Sequence, residues 1–352
     1  MLSLLLIGDI HAGKNNLKTV KSLFERIDQM LNLFKSNNKM PNAIVFMGDL
    51  YNNFENININ AHTLVSNYLI SFSKILSVIV LVGNHDRANA TDFQSNVHPF
   101  TGLSANKHII IVEKTRNIVF MDNVMGHQYR FVFVPYVQPG RFMDALNTLN
   151  KPFNDEKEPT TAIFCHQEFY GAHLGGGKTS EIGDKWDPTY PFVFSGHIHQ
   201  YDQLAENVMY VGTPYQVTYS ESTDKAIILA SFESPMAKPT HVRMNLSLTN
   251  KATVRVSAQD IGSVLEKYDK PSIDKDQIKI IIQYTSSDDI KQVQQLLHEC
   301  GFTNVHCRLR PGDASLYDRK CGDVGYASFK DIWMSLLGDD RDAIDFVSSI
   351  RV

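Results

Sequence analysis

Five apolar runs of this chain each stop on residues of metal-ligand type, and nothing else in the sequence constrains the fold as strongly. LLLIGDIH ends in Asp9 and His11, IVFMGDLY in Asp49, and VLVGNHD in Asn84, His85 and Asp86; AIFCHQE ends in His166 and FVFSGHIH in His197 and His199. A buried polar group without a partner costs roughly 1–3 kcal/mol, so five such endings scattered through a core would be a heavy liability. They become tolerable if the runs are neighbouring strands whose C-terminal ends open on one crevice, where the side chains share hydrogen bonds or ions. Gly8, Gly48, Gly83 and Gly196 stand immediately before four of the endings, which suits sharp exits and close backbone approach.

The remaining pattern fits that arrangement. Strands are expected at 2–7, 43–47, 78–82, 109–112, 118–121, 131–134, 162–164, 192–194, 208–211 and 226–232. Helical spacing of apolar residues appears at 17–34 and 61–76. Alternating strands and helices give an α/β class, and the β-rich second half turns this into an α+β sandwich of two sheets flanked by helices, occupying 1–235. Prolines and small residues interrupt the pattern near 231–241. A strand at 278–284, a helix from 287 to 300 stopped by Gly301, and a strand at 305–309 then predict a small β-α-β domain within 240–325. The tail, 326–352, is amphipathic, with Phe329, Ile332, Trp333, Leu336 and Leu337 as its apolar set.

Composition narrows the function classes. With 34 Lys+Arg against 38 Asp+Glu the net charge is −4, so any surface for a polyanion must be a local patch or be bridged by metal. The four cysteines form no CxxC pair, as expected of reduced thiols. No apolar run reaches the roughly 18 residues of a membrane span, and the first residues read as a strand, not a signal peptide. A soluble, cytoplasmic protein without a membrane role is expected.

The donor set is chemically coherent. Asp9, Asp49, Asn84 and the histidines 11, 166, 197 and 199 offer hard oxygen and imidazole without thiolate, which suits Mn²⁺, or Mg²⁺, in near-octahedral sites and not a Cys-type zinc. The set exceeds the needs of one ion. A bridging carboxylate would let two ions sit roughly 3.5–4 Å apart, the arrangement for phosphoester cleavage. His85, between Asn84 and Asp86, is then a catalytic group that Asp86 would hold as an imidazolium facing the scissile phosphate.

Together, Asp9-x-His11, Gly48-Asp49, Gly83-Asn84-His85-Asp86, His166 and Gly196-His197-x-His199 resemble the calcineurin-like metallophosphoesterase superfamily over residues 1 to about 232. The resemblance implies that Asp9, His11 and His199 hold one ion and Asn84, His166 and His197 the other, with Asp49 bridging and His85 a non-ligand catalytic histidine. YVGTPYQVTYSE (210–221) and HQEFYGAHLGGGKTSE (166–181) are similar to segments of SbcD-type nucleases, the catalytic subunits of double-strand-break repair complexes. That closer likeness implies a Mn²⁺-dependent DNA exonuclease or endonuclease acting in repair and recombination. It further implies a homodimer, with dimer helices near 61–76 and 92–104, an SbcC-type coiled-coil ATPase partner on which the tail docks, and a DNA-capping role for the small domain. One position departs: many members carry His three residues beyond the bridging Asp, where this chain has Asn52. The departure places the exonuclease step in question.

Lys14, Arg87 and Lys178 lie close to the metal motifs and are candidate contacts to a DNA backbone. The stretch from Ala172 to Thr179 has the glycines and lysine of a phosphate loop but lacks a preceding strand and a following apolar helix, so it reads as a loop beside the metals. A phosphoesterase for small nucleotides or phosphoproteins is the alternative reading, and the compact, Asn-rich chain suits a phage or viral source.

Overall fold

The inner strands of this chain are apolar on both faces because both faces are covered. In β1 (Leu2–Ile7), Leu2, Leu4 and Leu6 enter one core while Leu5 and Ile7 enter another. The alternation repeats in β2 (Ala43–Phe46) and in β3 (Ser77–Leu81). With β4 (Ile109–Val112) these strands form a parallel set, and two later antiparallel strands, β13 (Ile227–Phe232) and β14 (Thr240–Met244), complete a six-stranded sheet in the order β14-β13-β1-β2-β3-β4. The computed structural model describes residues 1–309 apart from 55, 123, 269, 271–273 and 285–287, so the amphipathic tail lies outside the described residues.

A second six-stranded sheet runs β11-β12-β10-β7-β6-β5. Its strands are β5 (Arg116–Asp122), β6 (His127–Val134), β7 (Ala162–Cys165), β10 (Val193–Ser195), β11 (Asp202–Ala205) and β12 (Val208–Tyr210). The inner four are parallel and the two edges antiparallel. Phe131, Phe133, Phe164 and Phe194 meet Leu4, Leu6, Val45 and Ile79 of the first sheet in a shared core, so the expected two-sheet sandwich is what forms.

Helices cover the outer faces. In α1 (Leu17–Ser36), Val20, Leu23, Phe24, Ile27 and Leu31 recur at helical spacing and pack on Leu5, Ile44 and Val80. Helix α2 (Ile59–Ser73) lies in the same layer and is capped by Asn58, whose side chain accepts from the amides of Asn60 and Ala61. On the opposite face, α3 (Phe142–Leu146) packs with Val132, Ile163 and Val193.

Three expectations change. Residues 92–104 contain no long helix; their regular structure is a single 3-10 turn, Thr101–Ala105, because polar residues and Pro99 interrupt the helical period. The glycine-rich stretch, expected as a loop, is an exposed hairpin, β8 (His173–Gly175) with β9 (Lys178–Thr179). Residues 240–244, expected to open the second domain, extend the first sheet as β14, and the first compact unit runs to Lys251.

The second unit starts at Ala252. It holds three parallel strands, β15 (Ala252–Ser257), β16 (Ile278–Tyr284) and β17 (Asn304–Leu309), linked through α4 (Ile261–Tyr268) and α5 (Asp288–Glu299). Val256, Ile280 and Ile282 of the sheet pack against Val264, Ile290 and Leu297 of the helices. Among the described residues it has one strand and one helix more than the expected β-α-β unit. No helix among the described residues is long and apolar enough to cross a membrane.

Candidate active site

The five polar endings meet, and both sheets supply them. β1, β2 and β3 deliver Asp9 with His11, Asp49, and Asn84 to Asp86; β7 and β10 deliver His166, and His197 with His199. The backbone is bent hard to achieve this. His11 (φ 49°), Asp49 (φ 51°) and His197 (φ 77°) occupy the left-handed region, which costs roughly 1–3 kcal/mol for a non-glycine residue and clusters at functional sites. The Asp49 carbonyl accepts from the amides of Ile10 and His11 at 3.1 and 2.9 Å, joining two of the endings. Gly83 is required: a Cβ there would overlap the carboxylate and amide of Asp49.

Around Asp49 the polar atoms are acceptors in search of positive charge. His166 donates Nδ1–H to the Met47 carbonyl at 2.8 Å, so its Nε2 presents a lone pair. That nitrogen lies 3.0 Å from Asn84 Oδ1, 3.3 Å from Asp49 Oδ2 and 3.3 Å from His197 Nδ1. His197 Nδ1 is also 3.0 Å from Asn84 Oδ1, while its Nε2 faces Glu168 Oε2 at 3.8 Å. On the other side, His199 donates Nδ1–H to Glu221 Oε1 at 3.0 Å and turns Nε2 toward His11 Nε2 at 2.9 Å. His11 Nε2 stands 3.9 Å from Asp49 Oδ2, and its buried Nδ1 has no hydrogen-bond partner among the described residues. The ligand atoms of Asp9, His11 and His199 lie within 4.8 Å of one another, as do those of Asp49, His166 and His197. A divalent cation in each group would relieve the crowding of lone pairs, and the donor set fits.

Electrostatics agree. Burial pushes His11 down to about 4, which leaves it neutral and able to ligate. Burial alone would raise Asp49, but the neighbouring histidines, His166 foremost, hold it well below the carboxylate range. Burial would lower His166, yet the charges of Asp49 and Asp9 outweigh it and raise the ring to about 9. The field at that nitrogen favours positive charge.

His85 sits at the edge of this cluster. A ring nitrogen lies within 4.8 Å of ligand atoms of His11 and Asp49, and its backbone amide donates to Asp49 Oδ1 at 2.8 Å. Its Nδ1 is 2.9 Å from the carbonyl of Asn52, its ring stacks on Phe54 at 4.4 Å, and His11 meets it edge-on at 4.9 Å.

Two assignments are corrected. Asp86 is buried and turns inward, accepting from the amides of Tyr51 and Gly83 at 3.1 Å each; His85 is oriented by Asn52's carbonyl instead. Arg87 is 1% exposed, donating to the carbonyls of Asp92 and Tyr136, so it braces the loop and does not reach a nucleic-acid backbone. Lys14 and Lys178 are exposed.

The sequence reading missed the groups that hold the histidines. Glu221 is fixed by the amides of Val217 and Thr218 and by buried Lys225, whose Nζ lies 2.8 Å from Glu221 Oε2, 2.8 Å from the His199 carbonyl and 2.7 Å from Thr213 Oγ1. Burial works to raise Glu221, but His199 and Lys225 together bring it down to about 2. Glu168 is lowered chiefly by its hydrogen bond with His197. Both acids are visible in the sequence, Glu168 two residues after His166 and Glu221 at the end of YVGTPYQVTYSE; nothing there marks Lys225.

Residues 2–201 match the family model described as calcineurin-like phosphoesterase. The chain is 33% identical over 264 residues to "Putative phosphoesterase 244L" of Invertebrate iridescent virus 6, an alignment covering 74% of this chain and 88% of that protein. It is 31% identical over 229 residues to "Putative phosphoesterase 078R" of Invertebrate iridescent virus 3, covering 64% of this chain and 61% of that one.

Proposed function

The chain belongs to the calcineurin-like phosphoesterase family, and from that premise we propose that it is a Mn²⁺-dependent nuclease hydrolysing DNA phosphodiesters. The observation that carries the reading is the cluster of acceptor atoms around Asp49 with His85 at its edge. Asp9, His11 and His199 would hold one ion and Asn84, His166 and His197 a second, with Asp49 facing both. When bound, such ions lower the pKa of a shared water and take up charge developing on the phosphoryl oxygens.

The chain's own groups do the rest. Asp49 presents Oδ2 to His11 and His166 while Oδ1 holds the His85 amide, so one carboxylate ties the catalytic histidine to both halves. His85, with Nδ1 at the Asn52 carbonyl, has Nε2 left for an oxygen of the scissile group. That orientation comes from the backbone of residue 52.

A polyanionic substrate is favoured by the second unit. Arg255, Lys279 and Arg308 alternate on its strands with Val256, Ile280 and Cys307, which face the helices. In register with them stand Thr253, Ser257, Ile281, Gln283, Asn304 and His306, so the described strand residues on this face include three cations and no carboxylate, in a chain of net charge −4. This supports a DNA-capping role for the unit.

Digestion of end-labelled duplex and of circular single-stranded DNA with Mn²⁺ tests the proposal, with His85→Ala in parallel. Cleavage is expected in the wild type and lost in the variant while metal remains bound. Turnover of a small phosphoester without any DNA cleavage would overturn the nuclease reading.

A further inference from the structure

Among the described residues Phe54 is the one exposed phenylalanine, at 40%. One face of its ring is stacked on His85 at 4.4 Å with 25° between the planes. Ile57 and Ile59, the latter opening α2, are also exposed, at 37% and 72%. The root of the loop is fixed against the active site: the Tyr51 amide donates to Asp86, the Asn52 amide to the Ala12 carbonyl, and the Asn52 carbonyl faces His85. Phe54 is therefore held in place beside the catalytic ring, with apolar surface turned to solvent where a core residue would be buried.

The chemistry of the site says what such a ring can receive. A scissile-group oxygen served by His85 must come within hydrogen-bond reach of that ring, roughly 2.6–3.2 Å. Whatever is attached to the oxygen then lies next to Phe54. A phosphoserine or an inorganic ester offers nothing flat to stack, whereas a nucleoside carries its base there.

We propose that Phe54 is the stacking platform for the nucleobase on the leaving side of the scissile phosphate, and so a specificity residue that directs this phosphoesterase to nucleic acid. The inference rests on the nuclease reading and deepens it. A base stacked on an aromatic side chain gains about tenfold or more in binding, and the gain is indifferent to sequence because every base has a π face.

The test compares two dinucleotides, identical except that one has an abasic sugar on the leaving side, with wild type, Phe54→Ala, Phe54→Leu and Phe54→Trp. Phe54→Ala and Phe54→Leu are expected to lose about tenfold in kcat/KM on the base-bearing substrate, through KM. On the abasic one they should change it less than about twofold, and Phe54→Trp should retain the preference. Leucine still covers His85, so it separates stacking from support of the catalytic ring. Equal losses on both substrates, repaired by leucine, would overturn the platform and leave Phe54 as a cover for His85. Failure of the wild type to cleave either dinucleotide or longer DNA would overturn the nuclease reading and the platform with it; cleavage of both at equal rates, indifferent to residue 54, would overturn the platform alone.

Discussion

The two halves of the cluster flanking Asp49 are built differently. Asp9, His11 and His199 make a half with a carboxylate of its own, and His199 is clamped by Glu221 and buried Lys225. In the other half the corresponding oxygen donor is an amide, Asn84, and His166 is oriented by the Met47 carbonyl. Counting Asp49 toward each, the first half carries two acidic side chains and the second one. Equal numbers of ligands thus do not imply equal affinity: the first half is expected to bind a divalent cation more tightly, and the second to fill last.

The widest break in this comparison comes from Asp49→Asn, which takes charge from both halves. Calorimetric titration with Mn²⁺ should lose both binding steps, and phosphoester turnover should fall by about a thousandfold or more. Exchanging the charges is next. Asp9→Asn should weaken the tighter step by on the order of a hundredfold and leave the other, while Asn84→Asp should strengthen the weaker step and bring the two together. If both substitutions moved the same step, the halves would not be independent.

Glu221→Gln sharpens the comparison within one half. Loss of a carboxylate that orients a ligating histidine typically costs about 10–100-fold in metal affinity, here expected only for the tighter step. It also has a pH signature in metal-free protein. The pairing depresses the carboxyl of Glu221 from 4.5 to about 2, so its contribution to stability is complete above 4.5 and fades as pH falls toward 2. The difference in melting temperature between wild type and variant should shrink over that window. The smallest effect is expected for Lys178→Ala, on the exposed hairpin outside both halves: neither binding step should move, and the salt dependence of DNA binding should flatten by about one unit of slope.

The site was largely legible in the sequence because each ending joins a buried strand to a polar residue, four of the five through a glycine, and few other roles need that sequence of types. The division of the endings between two sheets was not marked, since a parallel strand reads alike in either. The edge strands β11 and β14 were passed over because their residues are half-exposed and partly polar, without the apolar run that identifies the inner strands. Adjacency misled twice. Asp86 and Arg87 follow His85 directly, yet the turn after Gly83 sends both inward to main-chain partners. Lys225 lay beyond reading, because its partners Thr213, Glu221 and His199 come together only through the fold.

His166 and His85 both rely on main-chain carbonyls, those of Met47 and Asn52. A carbonyl is common to every amino acid, so point substitutions at 47 and 52 replace a side chain without deleting the group that sets the imidazole. The contact to each imidazole is thus independent of the side chain at 47 or 52, although Met47 is bound to its place by the core it fills, whereas the contact to His199 needs the carboxylate of Glu221 itself. For these two imidazoles the heritable part of the contact is the path of the chain and not the residue written there.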